Sequence, residues 1–250
     1  MILIKSAREL DLMRQAGRLV AECHAALAPR IRPGVTTAEL DAFVEDFLRR
    51  HGGIPTYKGY RGYPASICTS VNDEVCHGIP GRRRLREGDV ITVDIGVTLN
   101  GYHGDSAWTY AVGEVSEEAR RLMEVGEACL WAGIAQAREG SRLGDIGHAI
   151  QSLAESHGCG VVRDFVGHGI GRRLHEDPDV PHFGTPGTGV RLRAGMTLCI
   201  EPMITLGDWR VTIDDDGWTA RTADGSLCVQ YEHTIAVTDG EPEILTARVA

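Results

Sequence analysis

The segment Val90-Ile91-Thr92-Val93-Asp94-Ile95-Gly96-Val97 alternates, with Ile91, Val93, Ile95 and Val97 on one side of an extended chain and Asp94 on the other. Asn100-Gly101 follows, a two-residue hairpin signal, and the chain returns through Tyr102-His103-Gly104-Asp105. With Asn100 and Gly101 at the centre of the turn, Leu99 pairs with Tyr102 and Gly96 with Asp105. Asp94 and Asp105 then share one face as diagonal neighbours, about 7–8 Å apart at the backbone. Two like charges so placed repel unless something positive lies between them.

A faint internal repeat extends this reading. At an offset of 106, Gly34 matches Gly140, Leu40 matches Ile146, Val44 matches Ile150, Phe47 matches Leu153 and His51-Gly52 matches His157-Gly158. LREGDVITVD (85–94) lies on LRAGMTLCIE (192–201) at an offset of 107, and Asp105…Gly113-Glu114 on Glu232…Gly240-Glu241 at 127. The 20 extra residues predict a longer hairpin connection in the second half. Glu201 echoes Asp94, and Glu232 echoes Asp105. Two acid pairs therefore face each other at the centre, with a charge of about −4 that proteins tolerate only by protonation, basic partners or metal. A lone strand aspartate is ordinarily a hydrogen-bonded acid, but four in two symmetric pairs call for two divalent cations, bridged about 3.5–4 Å apart.

The helices fit the repeat. Ser6 with Glu9 forms a capping-box pattern opening a helix to about Ala28, with Leu10, Met13, Gly17, Val20, His24 and Leu27 on one face. Thr36 with Glu39 opens a second, stopping at Gly52-Gly53. The second half repeats the pair, from about Ser116 to Ala137 and from about Gly144 to His157. Each half reads α-α-β-β-β, an α+β plan in a single unit of residues 1–250, with pseudo-two-fold-related halves of about 1–112 and 113–250 around antiparallel sheet.

Composition excludes several classes. The 250 residues carry 26 basic and 35 acidic side chains, a net charge of −9, which argues against a global grip on nucleic acid or anionic lipid. Arg82-Arg83-Arg84 and Arg172-Arg173 are read as solvated surface. Lys5 and Lys58, the two lysines, complete no phosphate loop. No apolar run approaches the roughly 18 residues of a membrane helix, and no secretory signal opens the chain. Seven cysteines without a C-x-x-C pair fit reduced thiols in a cytoplasm.

Three of the ten histidines have unusual surroundings. His168 lies between glycines in Phe165-Val166-Gly167-His168-Gly169-Ile170-Gly171, His175 follows seven residues on, and His77 sits in Cys76-His77-Gly78-Ile79-Pro80. His24, His51, His148 and His157 fall on helices or their ends and read as structural or solvated. No dinucleotide fingerprint, H-E-x-x-H or G-x-S-x-G is present.

The series Val93-Asp94-Ile95-Gly96, Gly104-Asp105-Ser106-Ala107, GHGIGRRLHEDP (167–178), Glu201-Pro202-Met203 and Tyr231-Glu232-His233-Thr234 resembles the motif series of the type I methionine aminopeptidases. CHGIP (76–80) and GYRGYPASICTSVN (59–72) belong to the same series. The resemblance covers essentially the whole chain. It implies the pita-bread fold and cytoplasmic removal of the initiator methionine from nascent chains at the ribosome when the second residue is small. It further implies a monomer with no specific nucleic acid or membrane partner. The implied metal ligands are Asp94, Asp105, His168, Glu201 and Glu232, with Asp105 and Glu232 bridging two divalent ions of cobalt, manganese, iron(II) or zinc. Glu201 is the implied proton shuttle, and His77 and His175 the residues that hold the peptide and stabilise the tetrahedral species.

The implied methionine pocket includes Tyr60, Tyr63, Cys68 and Trp218. Leu174, before His175, replaces the Phe common in the family; methionine preference is expected to survive with a changed wall. Alternatives are a proline-directed or broad-specificity aminopeptidase of the same fold and a non-catalytic pita-bread binding module. The proline-directed enzymes are expected to carry a large extra N-terminal domain, and the non-catalytic relatives to lose metal ligands.

Overall fold

In the computed structural model, which describes residues 1–248, Ser6 and Glu9 close the capping box: the Ser6 hydroxyl accepts from Glu9 N and the Glu9 carboxylate from Ser6 N. That cap starts α1 (Ala7–Leu27), whose buried face carries Met13, Gly17, Val20, His24 and Leu27. Thr36 and Glu39 repeat the device at α2 (Thr37–Arg50). Short strands β1 (Ile54–Pro55), β2 (Cys68–Val71) and β3 (Glu74–Cys76) lead to a long hairpin, β4 (Val90–Leu99) and β5 (Tyr102–Ala111). Its register runs unbroken from Val90↔Ala111 to Leu99↔Tyr102, with Gly96 opposite Asp105, as the Asn100-Gly101 turn requires. Both turn residues have positive φ, 52° and 79°.

The second half opens with α3 (Glu117–Ala135) and α4 (Leu143–Ser156), followed by β6 (Gly160–Val161), β7 (Gly167–Gly169) and β8 (Glu176–Val180). Then come β9 (Thr197–Ile200), β10 (Met203–Thr205), β11 (Val211–Ile213), β12 (Ala220–Thr222), β13 (Cys228–Gln230), β14 (His233–Ala236) and β15 (Glu243–Ile244). β9 pairs with β14 (Ile200↔His233) and β10 with β13 (Met203↔Gln230) in one continuous register. These four strands are a single long hairpin, interrupted at Glu201-Pro202, where proline offers no N–H to the ladder.

Each helix pair covers one hairpin. Val20, Leu27, Leu40, Val44 and Leu48 pack with Ile91, Val93, Ile95 and Val97 in one core; Leu122, Leu130, Ile146 and Ile150 pack with Leu198, Ile200, Ile204 and Val229 in the other. The hairpins meet along an antiparallel seam. Glu232 N donates to Ala107 O at 2.8 Å, and the Thr234 hydroxyl bridges Asp105 N (3.1 Å) and Asp105 O (2.8 Å). The Ser106 hydroxyl donates to Glu232 O and the Thr109 hydroxyl to Gln230 O. The contacts of Asp105 with Thr234 and of Ala107 with Glu232 exchange under the repeat, so the seam itself has the pseudo-two-fold symmetry.

Two expectations need correction. The acid pairs recur, but not in the same register: Asp94 is diagonal to Asp105, while Glu201 falls directly opposite Glu232. Each hairpin takes its register from its own connection, and the second has no two-residue turn to set it. The extra residues are also more than a longer connection. They fold as the β11/β12 hairpin, and β12 pairs with β3 (Ala220↔Cys76), binding the second half to the first.

Among the described residues no helix is long and apolar enough to cross a membrane. All seven cysteines are free and buried.

Candidate metal centre and peptide pocket

The alternation that buries Ile91, Val93 and Ile95 turns Asp94 to the opposite face of β4, where a cavity of about 310 Å³ opens. All twelve residues singled out in the sequence line this cavity: Asp94, Asp105, His168, Glu201, Glu232, His77, His175, Tyr60, Tyr63, Cys68, Leu174 and Trp218. Two of the acids reach it from the seam, Asp105 from β5 and Glu232 from the residue before β14, side by side because their strands are; Asp94 comes from β4 and Glu201 from the residue after β9, the strands paired with them.

His168 comes from β7, which lies between β8 and β9. Its flanking glycines admit backbone: a Cβ at Gly167 would lie 2.2 Å from Cys199 O, and one at Gly169 2.2 Å from Asp177 O. His168 Nδ1 lies 2.9 Å from Gly169 O and so donates its proton there, leaving the Nε2 lone pair free. Nε2 stands 3.5 Å from Glu201 Oε1 and 3.9 Å from Asp105 Oδ2. Burial lowers the His168 pKa to about 4, so the ring is neutral at ordinary pH.

Burial raises the pKa of Asp94, Asp105, Glu201 and Glu232, and their mutual repulsion adds to the shift at the last three. Among the described ion pairs no lysine or arginine meets any of the four. Glu232 Oε1 is buried without a hydrogen-bond partner. Four uncompensated acids, one orphaned carboxylate oxygen and one imidazole with a free lone pair are the donor set of a hard or borderline divalent cation, and these residues fit such ions.

Side-chain and backbone groups hold the donors in place. Glu201 N donates to His182 Nε2 at 3.1 Å, and Gln230 Nε2 donates to Glu201 Oε2 at 3.1 Å. Among the described residues, donor atoms of Asp105, His168, Glu232 and Cys199 all lie within 4.8 Å of one another, a set that does not include Asp94 and Glu201. Cys199 went unnoticed in the sequence; it lies on the Glu201 face of β9, two residues earlier. Burial and the nearby carboxylates push its thiol well up, and Sγ lies 3.5 Å from the Thr234 hydroxyl, so a protonated thiol packing beside the acids accounts for it. Tyr57 was missed as well. Its phenol lies 2.6 Å from Asp94 Oδ1 and also meets Asp105 Oδ1. The available signal was Gly96, a glycine inside a strand, which marks a close approach.

The pocket walls form the other side of the cavity. Tyr63 and Trp218 meet edge to face, centroids 5.0 Å apart, and Leu174 is buried beside them. The β12/β3 pairing brings Trp218 there. His77 adopts φ 59°, a left-handed conformation uncommon for a residue with a Cβ, and stands edge-on to Phe165 and Trp218. Burial lowers its pKa. His175 Nδ1 lies 2.7 Å from the Tyr60 hydroxyl, and its ring is 4.3 Å from that of His168. Burial, then His168 and Arg61, lower its pKa to about 3.

The four helix histidines lie elsewhere. His24 is buried on the inner face of α1, while His51, His148 and His157 are exposed at helix surfaces or ends.

A family model described as metallopeptidase family M24 matches residues 11–239. The chain is 52% identical to methionine aminopeptidase 1 of Bacillus subtilis over 246 residues, 98% of this chain and 99% of that one. It is 53% identical to a methionine aminopeptidase of Clostridium acetobutylicum, again over 98% and 99% of the two chains. The crystal structure of methionine aminopeptidase from Rickettsia prowazekii superposes with a TM-score of 0.98 at 44% identity, over 99% of this chain and 100% of that one. The prolidase of Pyrococcus horikoshii shares the fold at 22% identity, with a TM-score of 0.78 over 100% of this chain and 65% of that one.

Proposed function

The chain belongs to metallopeptidase family M24, among the methionine aminopeptidases, and removes methionine from peptide N-termini; from that premise we propose how its own residues do so. Asp94, Asp105, His168, Glu201 and Glu232 would hold two divalent cations, of cobalt, manganese, iron(II) or zinc. The observation that carries this reading is the convergence in one cavity of four acids, Asp105 and Glu232 buried and Asp94 and Glu201 partly so, with no basic partner among the described ion pairs, and the free Nε2 of His168. Bound there, such ions lower the pKa of a water and polarise the scissile carbonyl.

The protein's own groups supply the rest. Glu201, tethered by Gln230 and His182, takes the proton of the attacking water and passes it to the leaving amine. With Tyr60 donating into Nδ1, His175 presents Nε2–H to the developing oxyanion. His77, held rigidly at positive φ between aromatic edges, fixes the peptide. Tyr60, Tyr63, Cys68, Leu174 and Trp218 enclose the methionine side chain with apolar, polarizable walls.

The substrates are nascent polypeptide N-termini at the ribosome, in the cytoplasm, whose second residue is small. The protein acts as a monomer without a specific nucleic-acid partner. Residues 1–250 serve as one catalytic unit, its halves of about 1–112 and 113–250 each contributing one acid pair.

The test is release of free methionine from Met-Ala-Ser by chelated enzyme resupplied with single metals. Activity should vanish on chelation and return with two equivalents of ion. Met-Leu-Ser and Leu-Ala-Ser should be far poorer substrates, since rejection of bulk by a tight wall exceeds what a missing methylene gains. Comparable kcat/KM for all three would reduce the reading to a broad aminopeptidase, the risk that Leu174 introduces.

A further inference from the structure

Tyr57 is held beside β4 by the chain that precedes it. Ile54 and Pro55 pair with Thr98 and Val97, and Thr56 N donates to Gly96 O at 2.9 Å. The ring then lies over Gly96: a Cβ built there would stand 2.8 Å from Tyr57 Cε1 and 3.0 Å from Cζ, and 3.3 Å from Thr56 Cβ. Any other residue at 96 would push the ring away. Gly96 is paired with Asp105 and is two residues from Asp94 on the same face, so a ring in this slot carries its hydroxyl to both acids. The phenol oxygen lies 2.6 Å from Asp94 Oδ1 and also meets Asp105 Oδ1.

We propose that Tyr57 is a positioning residue of the metal centre: its hydroxyl ties the Asp94 and Asp105 carboxylates together at one point and so presets the separation at which they receive a cation. The idea rests on the assignment of these two acids as ligands. A wall residue of the methionine pocket needs only the ring, which is the apolar part of the side chain. The hydroxyl is buried, and its neighbours within hydrogen-bond reach are the two acids. A phenol carries one proton, so the hydroxyl donates to one carboxylate oxygen at a time and can exchange between the two, restraining Asp94 and Asp105 without neutralising either. Outer partners of this kind orient ligands, and their loss costs about 10–100-fold in metal affinity.

The test is Tyr57→Phe, which keeps the ring in the Gly96 slot and removes only the oxygen. Metal-free wild type and variant are titrated calorimetrically with Co(II) alone, and the visible absorption of the bound Co(II) is recorded. The variant should melt within about 3 °C of wild type when metal-free, since a single exposed or lost hydrogen bond of about 1 kcal/mol moves a chain of this size by roughly that much. It should bind Co(II) about ten-fold or more weakly, with an altered spectrum, and lose kcat more than KM. Gly96→Ala, which displaces the ring while keeping the hydroxyl, should weaken binding in the same direction. Equal affinity and an identical spectrum in Tyr57→Phe would overturn the proposal and leave Tyr57 a pocket wall. If wild type itself takes up no Co(II), the ligand assignment fails, and the proposal with it.

Discussion

Asp105 and Glu232 sit side by side because Ala107 accepts from Glu232 N and Thr234 bridges Asp105, so neither acid can move away from the other without opening the seam. Truncating either leaves the remaining acids short of a shared donor. Asp105→Ala and Glu232→Ala should each abolish methionine release and reduce metal uptake measured by calorimetry, whereas the exposed Arg50→Ala should match wild type. Retention of more than a few per cent of kcat by either acid variant at full metal supply would sink the two-ion reading. His175 plays a different part. It meets Tyr60 and lies tilted against His168 but stands outside the acid cluster. His175→Ala should take up metal almost normally yet lose about 10²–10³ in kcat, the usual cost of deleting one transition-state donor. A matching loss of metal would make it a ligand instead.

At the scale of elements, α1 is fastened to the sheet at two points with opposite chemistry. Gly17 brings the helix against the C-terminal segment, where a Cβ would lie 2.2 Å from Leu245 O. Helix propensity favours alanine by about 1 kcal/mol, but backbone cannot yield as a side chain does. Gly17→Ala should therefore lower Tm by about 3–10 °C, corresponding to about 1–3 kcal/mol, and a rise in Tm would show that the segment gives way. Near its other end His24 lies 2.8 Å from the Tyr110 hydroxyl and 3.0 Å from Ser106 O. Burial lowers its pKa from 6.5 to about 4. The unfolded chain thus binds the extra proton, and stability from this site is lost as pH falls from 6.5 towards 4. In urea unfolding of metal-free protein, the advantage of wild type over His24→Asn should shrink by about 2 kcal/mol between pH 7 and pH 5. An unchanged advantage would refute it.

For the molecule as a whole, the acid cluster makes stability depend on metal and pH together. The folded-state pKa values of Asp94, Asp105, Glu201 and Glu232 are raised by burial, so the folded metal-free form binds more protons than the unfolded chain. Its stability from these groups is full below the ordinary carboxylate range and drains away as pH rises through the raised values. Cations compete with those protons. The gap in Tm between metal-loaded and metal-free protein should therefore widen from pH 5 to pH 8 in parallel melts. A constant gap would mean that the ions bind elsewhere. Two packed cores, each built by one helix pair on one hairpin, hold the cluster at their common seam.

What the sequence determined by itself was local. Period-two alternation puts Asp94 on the face opposite Ile91 and Val93, the Asn100-Gly101 turn sets the β4/β5 register, and the Ser6/Glu9 and Thr36/Glu39 boxes start two helices. Each depends on residues a few positions apart, so the chain carries the information in its own pattern. The repeat then located Glu201 and Glu232, and the motif series named the candidate ligands and pocket residues, which line one cavity. Tertiary structure alone decided that Glu201 faces Glu232 directly, that β12 pairs with β3 and delivers Trp218, that Cys199 packs beside the acids, and that Tyr57 lies in the slot Gly96 leaves. These depend on pairings between distant segments with no tight turn to set their register. A sequence pattern says which face a side chain occupies, but the partner opposite is chosen by packing across the whole fold.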